Sequence, residues 1–380
     1  MLRIIDIVLL VIMGVPCWYF LVFALASRLK KRTQADEGNC STNFAVLIPA
    51  YRSDSCIEET AKAALSQNYP EDKFRILVIS DSMKEETDSA LRLLGAEVLD
   101  VSFENSTKAK SLQAAVASLG PGAADKVVIL DADNVVEGNF LRSLDAAFKA
   151  GAQAVQAHRT AKNRDTSVAV LDAAAEEINN SIFRKGHNAL GMSSALIGSG
   201  MAFDYAWFAQ NIDSINTSGE DKELELALLR DNIDVTYLED VPVYDEKTRS
   251  RSNYYGQRSR WTASQYNIFG RAVVGLGRAE DSLGYIDKLF QWLFPPRMII
   301  MAVVPLMTIL SAVFGWPLTR QWTGTLICLA AAMLLAIPGK MLDTRLFKAL
   351  GSVPALAAMS FANLFRIRRS KENFIHTEHE

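Results

Sequence analysis

The sequence is poor in the residues that build small or redox-active scaffolds. It has four cysteines in 380 residues, none in a Cys-x-x-Cys or Cys/His ligand spacing, which argues against both a disulfide framework and a zinc site. The four histidines, His158, His187, His376 and His379, form no ligand-spaced set either. Neither sign of charge is in excess: 40 basic residues face 43 acidic ones, for a net charge of -3 and a pI near 5.9. Without a basic field, nucleic acid is not an expected partner. Only 11 prolines and 22% charged residues speak against a disordered chain. Two nucleotide cradles are missing as well: no Gly-x-Gly-x-x-Gly follows the first strand-like run, and no Gly-Lys-Ser/Thr loop occurs. A bound diphosphate would need to be held by other means.

What is abundant is apolar sequence, and it is concentrated at the ends. Residues 4–26 contain one charge, Asp6, and at about 1.5 Å per residue they can cross a hydrocarbon layer of about 30 Å. A cleaved signal peptide would carry a shorter apolar stretch and a small-residue cleavage site. Arg28, Lys30, Lys31 and Arg32 follow, and the positive-inside rule puts them, with the chain beyond them, in the cytoplasm. Residues 298–316 and 322–338 are two further apolar runs around a turn with Pro317 and Arg320. They predict a helical hairpin through the bilayer, with Trp316, Trp322, Arg297 and Lys340 as interface anchors. Residues 346–365 are apolar but contain Lys348, Pro354 and Asn363 and precede Arg366, Arg368, Arg369 and Lys371. An interfacial helix keeps those cations inside, whereas a fourth span would carry them out. The chain thus divides into an N-terminal transmembrane helix (1–27), a basic cytoplasmic linker (28–42), a soluble unit (43–250), amphipathic interfacial helices (251–297), a transmembrane hairpin (298–340) and an interfacial helix with a cytoplasmic tail (341–380).

In the soluble unit, short apolar runs alternate with helix-like stretches. Residues 44–48, 74–79 and 97–101 read as strands, and 58–67 and 88–94 as helices. This rhythm predicts an α/β fold: a mostly parallel sheet with helices on both faces, which binds ligands beyond the carboxyl ends of its strands. The residues at those ends are Tyr51, Asp81 and, after the run Val127-Val128-Ile129-Leu130, the pair Asp131 and Asp133. Two aspartates two apart at a strand end can share a hard divalent cation with a diphosphate, although a chain with 43 acidic residues also yields Asp-x-Asp by accident. Farther on, Glu220 and Asp221 open a helix-like stretch capped by Ser218, where acidic residues serve equally as dipole partners or as a general base. Gln257, Arg260, Trp261 and Ser264 share one face of a later helix. That face suits a diphosphate and a sugar ring, and it also suits a lipid interface.

Taken together, these elements resemble the membrane-bound family-2 glycosyltransferases, the group of cellulose, chitin and hyaluronan synthases, over residues 43–265. The ordered elements are Asp81, Asp131/Asp133, Gly219-Glu220-Asp221 and Gln257/Arg260/Trp261, supported by Lys108-Ala109 and by Gly198-Ser199-Gly200. The resemblance implies a GT-A-type nucleotide-sugar-binding domain with transmembrane helices, working at the cytoplasmic face of a bacterial inner membrane. It further implies a UDP-sugar donor, Mg²⁺ or Mn²⁺ as cofactor, and inverting transfer to a growing β-linked polysaccharide or, alternatively, one addition to a lipid acceptor. A non-catalytic membrane subunit that binds nucleotide sugar is the remaining alternative. Carried over residue by residue, Tyr51 and Asp81 would contact uridine, Asp131 and Asp133 the metal and diphosphate, and Lys108 the diphosphate region. Gly198, Ser199 and Gly200 would lie on the acceptor side, and Asp221, beside Glu220, would be the base. Gln257, Arg260 and Trp261 would border diphosphate and acceptor. Asp81 stands in Ser80-Asp81-Ser82-Met83, not the commoner Asp-Asp-Gly-Ser, and no gating loop is evident. Three spans enclose little space, so export would need a second copy or a partner.

Overall fold

A computed structural model describes residues 2–29, 40–217, 219–275 and 282–366. Lys30, Lys31, Arg32, the cap expected at Ser218, and Arg368, Arg369, Lys371, His376 and His379 lie outside the described residues. The strands are β1 (Phe44–Tyr51), β2 (Phe74–Asp81), β3 (Glu97–Val101), β4 (Lys126–Ile129), β5 (Val135–Val136), β6 (Ala154–Ala161), β7 (Met201–Asp204) and β8 (Val235–Asp245). The helices are α1 (Leu2–Ala26), α2 (Ile57–Leu65), α3 (Glu85–Leu94), α4 (Lys108–Leu119), α5 (Phe140–Lys149), α6 (Ser167–Asn179), α7 (His187–Ala189), α8 (Tyr205–Ile212) and α9 (Glu220–Arg230). They continue with α10 (Arg251–Gly275), α11 (Ser282–Leu293), α12 (Arg297–Val313), α13 (Thr319–Ala336), α14 (Thr344–Ala349) and α15 (Val353–Arg366).

The sheet order is β3-β2-β1-β4-β7-β6-β8-β5. Strands β1 to β4 pair in parallel, as the strand–helix rhythm predicts. Strand β7, however, runs against both β4 and β6, while β6 and β8 are parallel to each other. The sheet is therefore mixed: six of the eight described strands run one way, as expected of a mostly parallel sheet, and β5 and β7 run against them; a four-residue strand such as β7 has too short a pattern for its direction to be read from sequence. The pairing has one consequence for function. Because β7 is reversed between β4 and β6, the carboxyl ends of β1, β2, β4, β6 and β8 and the amino end of β7 all lie on one edge.

The pleat explains why helices cover both faces. Phe44, Val46, Ile48 and Ala50 of β1 enter a core completed by α2, α3 and α5, whereas Ala45 and Leu47 enter one completed by α4, α8 and α9. Leu47 and Ile48 are fully buried, and each such side chain contributes about 1.5–3 kcal/mol.

A third apolar cluster joins α1 to α12 and α13 through Met13, Cys17, Phe20, Val304, Trp322 and Leu329. Asp6, the one charge in the apolar run, accepts a hydrogen bond from Trp322 Nε1 at 2.9 Å. Trp322 is fully buried there, so it is a packing residue and not the interface anchor expected. Arg297 is no anchor either: it donates to Asn179 Oδ1 and to the Ala175 carbonyl, both at 2.9 Å. Between α6 and α7 the chain forms a π-helical turn, Asn180–Gly186. A Cβ on Gly186 would lie 2.3 Å from the Phe23 carbonyl oxygen, so only glycine lets this turn touch the α1 backbone.

Among the described residues, α1 is the one helix long and apolar enough by itself to cross a membrane, its stretch Arg3–Ala26 containing an 18-residue window of mean hydropathy 2.5. Helices α11 and α12 meet that test only as a pair bent by 69°. Where the sequence leads one to expect a transmembrane hairpin, the chain forms the helices α12 and α13, of 17 and 18 residues, neither of which meets that test by itself. The apolar run 346–365 is broken into α14 and α15, which pack on α6 and α10 through Leu346, Ala349 and Leu356.

Candidate active site

The sheet edge sets the site. Strand β4 ends at Ile129, and the turn after it places Asp131 and Asp133; β8 ends at Asp245. Carboxylate oxygens of these three residues lie within 4.8 Å of one another. Burial, together with the charges of Asp245 and Asp131, pushes the Asp133 carboxyl well above its ordinary range, with Arg159 opposing. Asp245 is held low instead: burial alone would raise it, but Arg159 and Lys247 prevail, with Lys247 Nζ 2.6 Å away. The fully buried Asn134 ties the group together. Its Nδ2 donates to Asp133 at 3.1 Å and to Asp245 at 3.3 Å, and its Oδ1 accepts from the Asp131 amide at 3.1 Å and from Ser199 Oγ. Crowded, mutually repelling oxygen donors are the set that fits a hard divalent cation such as Mg²⁺ or Mn²⁺.

Lys108, at the start of α4, reaches into the same region. Its Nζ contacts Asp131, donates to the Gly198 carbonyl at 2.6 Å and lies 3.5 Å from Glu220. Glu220, only 6% exposed, has its carboxyl pushed up to about 7 by burial and by Asp221, with Lys108 pulling the other way. Asp221 is half-buried and lines the cleft. Helix α9 can bring both residues here because Gly219 precedes it: a Cβ at that position would lie 1.9 Å from Ser264 Oγ on α10. Helix α10 contributes Gln257, Arg260 and Trp261 to the opposite wall. Arg258, which the sequence did not single out, braces that wall; it pairs with Asp172 at 2.7 Å and lies 4.8 Å over the Trp261 ring.

The cleft enclosed by these residues has a volume of about 550 Å³, in the range of ligand sites. Tyr51, Lys108, Asp131, Asp133, Gly198, Glu220, Asp221, Gln257, Arg260 and Trp261 all line it. Three expected residues do not. Asp81 is 0% exposed, paired across from Tyr51 in the β1–β2 register, and takes a hydrogen bond from Ser82 at 3.0 Å, with Oδ2 left without a partner. Ser199 is buried behind the turn, where its Oγ accepts from the Asp131 amide at 3.0 Å. Gly200, at φ +63°, is wedged against Val243 and Ala157, where its missing side chain serves packing and not an acceptor. Sequence reasoning missed Asp245, Asn134, Arg159 and Lys247. For Asp245 a signal existed: it follows Val241-Pro242-Val243-Tyr244, an apolar run ending in an acid, the pattern that singled out Asp131.

A mixed α/β sheet carrying clustered carboxylates beyond its strand ends defines a GT-A-like nucleotide-sugar transferase. Residues 42–264 match the family described as glycosyltransferase like family 2, and the chain belongs to that family. Among solved structures, it is similar to the mannosyltransferase PcManGT from Pyrobaculum calidifontis, in complex with GDP-Man and Mn²⁺. That likeness has 16% identity and a TM-score of 0.63, covering 98% of this chain and 100% of that one. S. aureus TarS 1–349 in complex with UDP-GlcNAc is matched at 14% identity and a TM-score of 0.47, covering 86% and 91%. Glucosyl-3-phosphoglycerate synthase from Mycobacterium tuberculosis, with Mn²⁺, UDP and glucosyl-3-phosphoglycerate, is matched at 15% identity and a TM-score of 0.43, covering 63% and 86%. The likeness to the mannosyltransferase is one of fold alone. No curated protein matches the sequence.

Proposed function

We propose that this family-2 glycosyltransferase is a metal-dependent, inverting enzyme anchored in a membrane, with residues 43–250 as its catalytic domain on the cytoplasmic side. The observation that carries the reading is convergence: residues from the β4 and β8 ends, α4, α9 and α10 line one cleft although they are spread from Lys108 to Trp261. A UDP-sugar is the donor expected from the motifs, and a GDP-sugar is the competing donor. When bound by Asp131, Asp133 and Asp245, Mg²⁺ or Mn²⁺ supplies positive charge to the leaving diphosphate. Lys108 and Arg260 add fixed cationic charge beside it.

Asp221 takes the proton of the acceptor hydroxyl as its oxygen bonds to the anomeric carbon. The bond from that carbon to the diphosphate breaks, and its electron pair leaves with the nucleoside diphosphate. Glu220 is engaged with Lys108, so Asp221 is the carboxylate facing the cleft that remains for this role. One displacement inverts configuration, so an α-linked donor yields a β-linked product. Support for the membrane comes from α1, whose outward residues Ile4, Val11, Trp18 and Leu25 are each about half exposed or more. Leu283, Ile286, Phe290 and Leu293 add one exposed apolar face of α11.

The test is nucleotide release by detergent-purified protein from a panel of UDP- and GDP-sugars, with and without Mn²⁺. Metal-dependent release from one donor, lost in Asp221→Asn while that variant still binds the nucleotide, is the expected result. Full turnover by Asp221→Asn removes the proposed base, and no release from any donor supports the non-catalytic alternative.

A further inference from the structure

Helix α11 has its polarity reversed. Leu283, Ile286, Phe290 and Leu293 fall three and four residues apart on one stripe, and all four are exposed, Leu283 to 78%. Its two charges point inwards: Asp287 is buried and Lys288 is only 1% exposed. A helix on a water-facing surface carries the opposite pattern, apolar within and charged without. The exposed Val273 and Val274 at the end of α10 extend the patch, and Tyr285 of α11 fastens that end by donating to the Ala272 carbonyl at 2.9 Å.

Two contacts fix where this face lies. Tyr19 of α1 donates to Asp287 Oδ1 at 2.6 Å, and Tyr19 stands seven residues before the end of α1 at Ala26, about 10 Å along the axis at about 1.5 Å per residue. Helix α11 thus meets α1 close to the depth of about 5–10 Å at which interfacial helices settle. Helix α12 follows α11 at 69° and packs with α1 and α13, so α11 lies across that bundle, in the plane of a membrane the bundle crosses. The inner side of α11 leads to the catalytic cleft. Lys288 Nζ pairs with Glu225 Oε1 of α9 at 2.8 Å, both almost fully buried. Glu225 also takes Lys222 Nζ at 2.9 Å, and that Nζ donates to the Leu196 carbonyl at 3.1 Å. Glu225 lies one turn beyond Asp221 on the same side of α9, and Lys222 is next to Asp221 in the chain. Separating a buried ion pair is costly, so α9 follows α11.

We propose that α11 is a lever resting on lipid: the bilayer surface is the partner of its outer face, and the Lys288–Glu225 pair carries that contact to α9, so that Asp221 is held in place only on a membrane. This rests on the membrane-anchored transferase reading and adds to it a dependence of the base on lipid, which anchoring by α1 alone does not require. Uncharged lipid surface suffices, because the outer stripe of α11 carries no charged side chain among the described residues. A second copy of the chain is the competing occupant of the stripe.

The test uses the full chain in nanodiscs of phosphatidylcholine. A spin label on Phe290→Cys, read against the unsubstituted protein treated alike, is expected to be relaxed by oxygen, which concentrates in lipid, and not by a water-soluble nickel chelate. Relaxation by nickel, or protection from both as in a contact between copies, overturns the lipid partner. Hydrogen exchange then reads the link. Ile286 and Phe290 lie outside the apolar cluster that joins α9 to α10 and α11 through Leu226, Ile268 and Trp292. Even so, in Ile286→Gln/Phe290→Gln the amides of α9 should exchange about tenfold faster than in the unsubstituted protein, while those of β1 keep their rate. In a Glu225→Gln/Lys288→Met background the same outer substitutions should leave α9 unchanged. Equal exchange of α9 with and without the outer substitutions, an equal rise in β1, or a rise that persists without the Lys288–Glu225 pair overturns the coupling. UDP and GDP are titrated with Mn²⁺ on the same samples: failure of the unsubstituted protein to bind either overturns the transferase reading, whereas the exchange rates decide the lever by themselves.

Discussion

Replacing Gly219 by alanine is a sensitive probe of how Asp221, the proposed base, is placed. The residue adopts φ −121° and ψ 54°, outside the positive-φ range that favours glycine, so the substitution acts first through its contacts. The added Cβ would lie 1.9 Å from Ser264 Oγ and 3.0 Å from Ser264 Cβ. The hydroxyl can rotate away, but the two carbons stay closer than the ~3.5 Å at which such contacts become favourable. Helices α9 and α10 must therefore separate by about 0.5 Å, carrying Asp221 away from Gln257, Arg260 and Trp261. A 1 Å misplacement of a reacting group costs about 100-fold in rate, so a shift of half that size predicts about a tenfold loss of kcat. Alanine is also a poorer helix cap than glycine, which lowers stability by about 1 kcal/mol, but a cap effect cannot be relieved from α10. Hence nucleotide release at saturating donor should fall about tenfold in Gly219→Ala and recover in Gly219→Ala/Ser264→Gly, measured against Ser264→Gly alone, on the estimate above. Full activity of the single variant, or a double variant as slow as Gly219→Ala, refutes the reasoning.

Two stability predictions follow from buried charges near α9. Glu220 keeps its proton up to about pH 7 in the folded protein but only to its ordinary 4.5 when unfolded. Its contribution to stability therefore declines between those pH values, by about 3 kcal/mol in metal-free protein. Glu220→Gln should remove that decline, read as the difference in unfolding free energy between pH 5 and pH 8; identical pH profiles would contradict it. Glu225 is held down to about 2, because Lys222 and Lys288 outweigh its burial; its stabilising effect is present above its ordinary 4.5 and is lost as pH falls towards 2. Glu225→Gln strands Lys288, which is 2.8 Å away and almost fully buried, and should cost about 3–5 kcal/mol. Adding Lys288→Met should recover at least half of that in denaturant titration, whereas additive losses would show that the pair is not coupled.

The parts of the fold legible in the sequence were those with local periodicity. Strands β1 to β3 and their helices follow from alternating apolar runs, and β3 was read at Glu97–Val101, the bounds it has in the structure. Strand β7 was not legible, because four residues cannot show a period and its direction depends on where β6 lies. At the candidate site, Asp131, Asp133, Glu220, Asp221 and Gln257/Arg260/Trp261 stand out in the sequence because each combines a chemical group with a local structural marker, and all of them line one cleft. Asn134 and Arg159 were not found, because their role lies in contacts that span up to 111 positions of sequence, such as Asn134 to Asp245. Trp322 and Arg297 were misassigned for a related reason: tryptophan and arginine flanking an apolar run are usual interface anchors. Here tertiary packing turns one into the partner of Asp6 and the other into part of the cleft wall.

The central claim is that carboxylates from the ends of two non-adjacent strands hold one divalent cation against a nucleoside diphosphate. The most direct test is titration of Mn²⁺ into protein saturated with UDP or GDP, with bound metal read by electron paramagnetic resonance. The account predicts one site whose affinity falls at least tenfold in Asp133→Asn and in Asp245→Asn, the loss expected for altered metal ligation, but stays unchanged in Asp81→Asn. Mn²⁺ binding as tight in Asp133→Asn and Asp245→Asn as in the unsubstituted protein would contradict it.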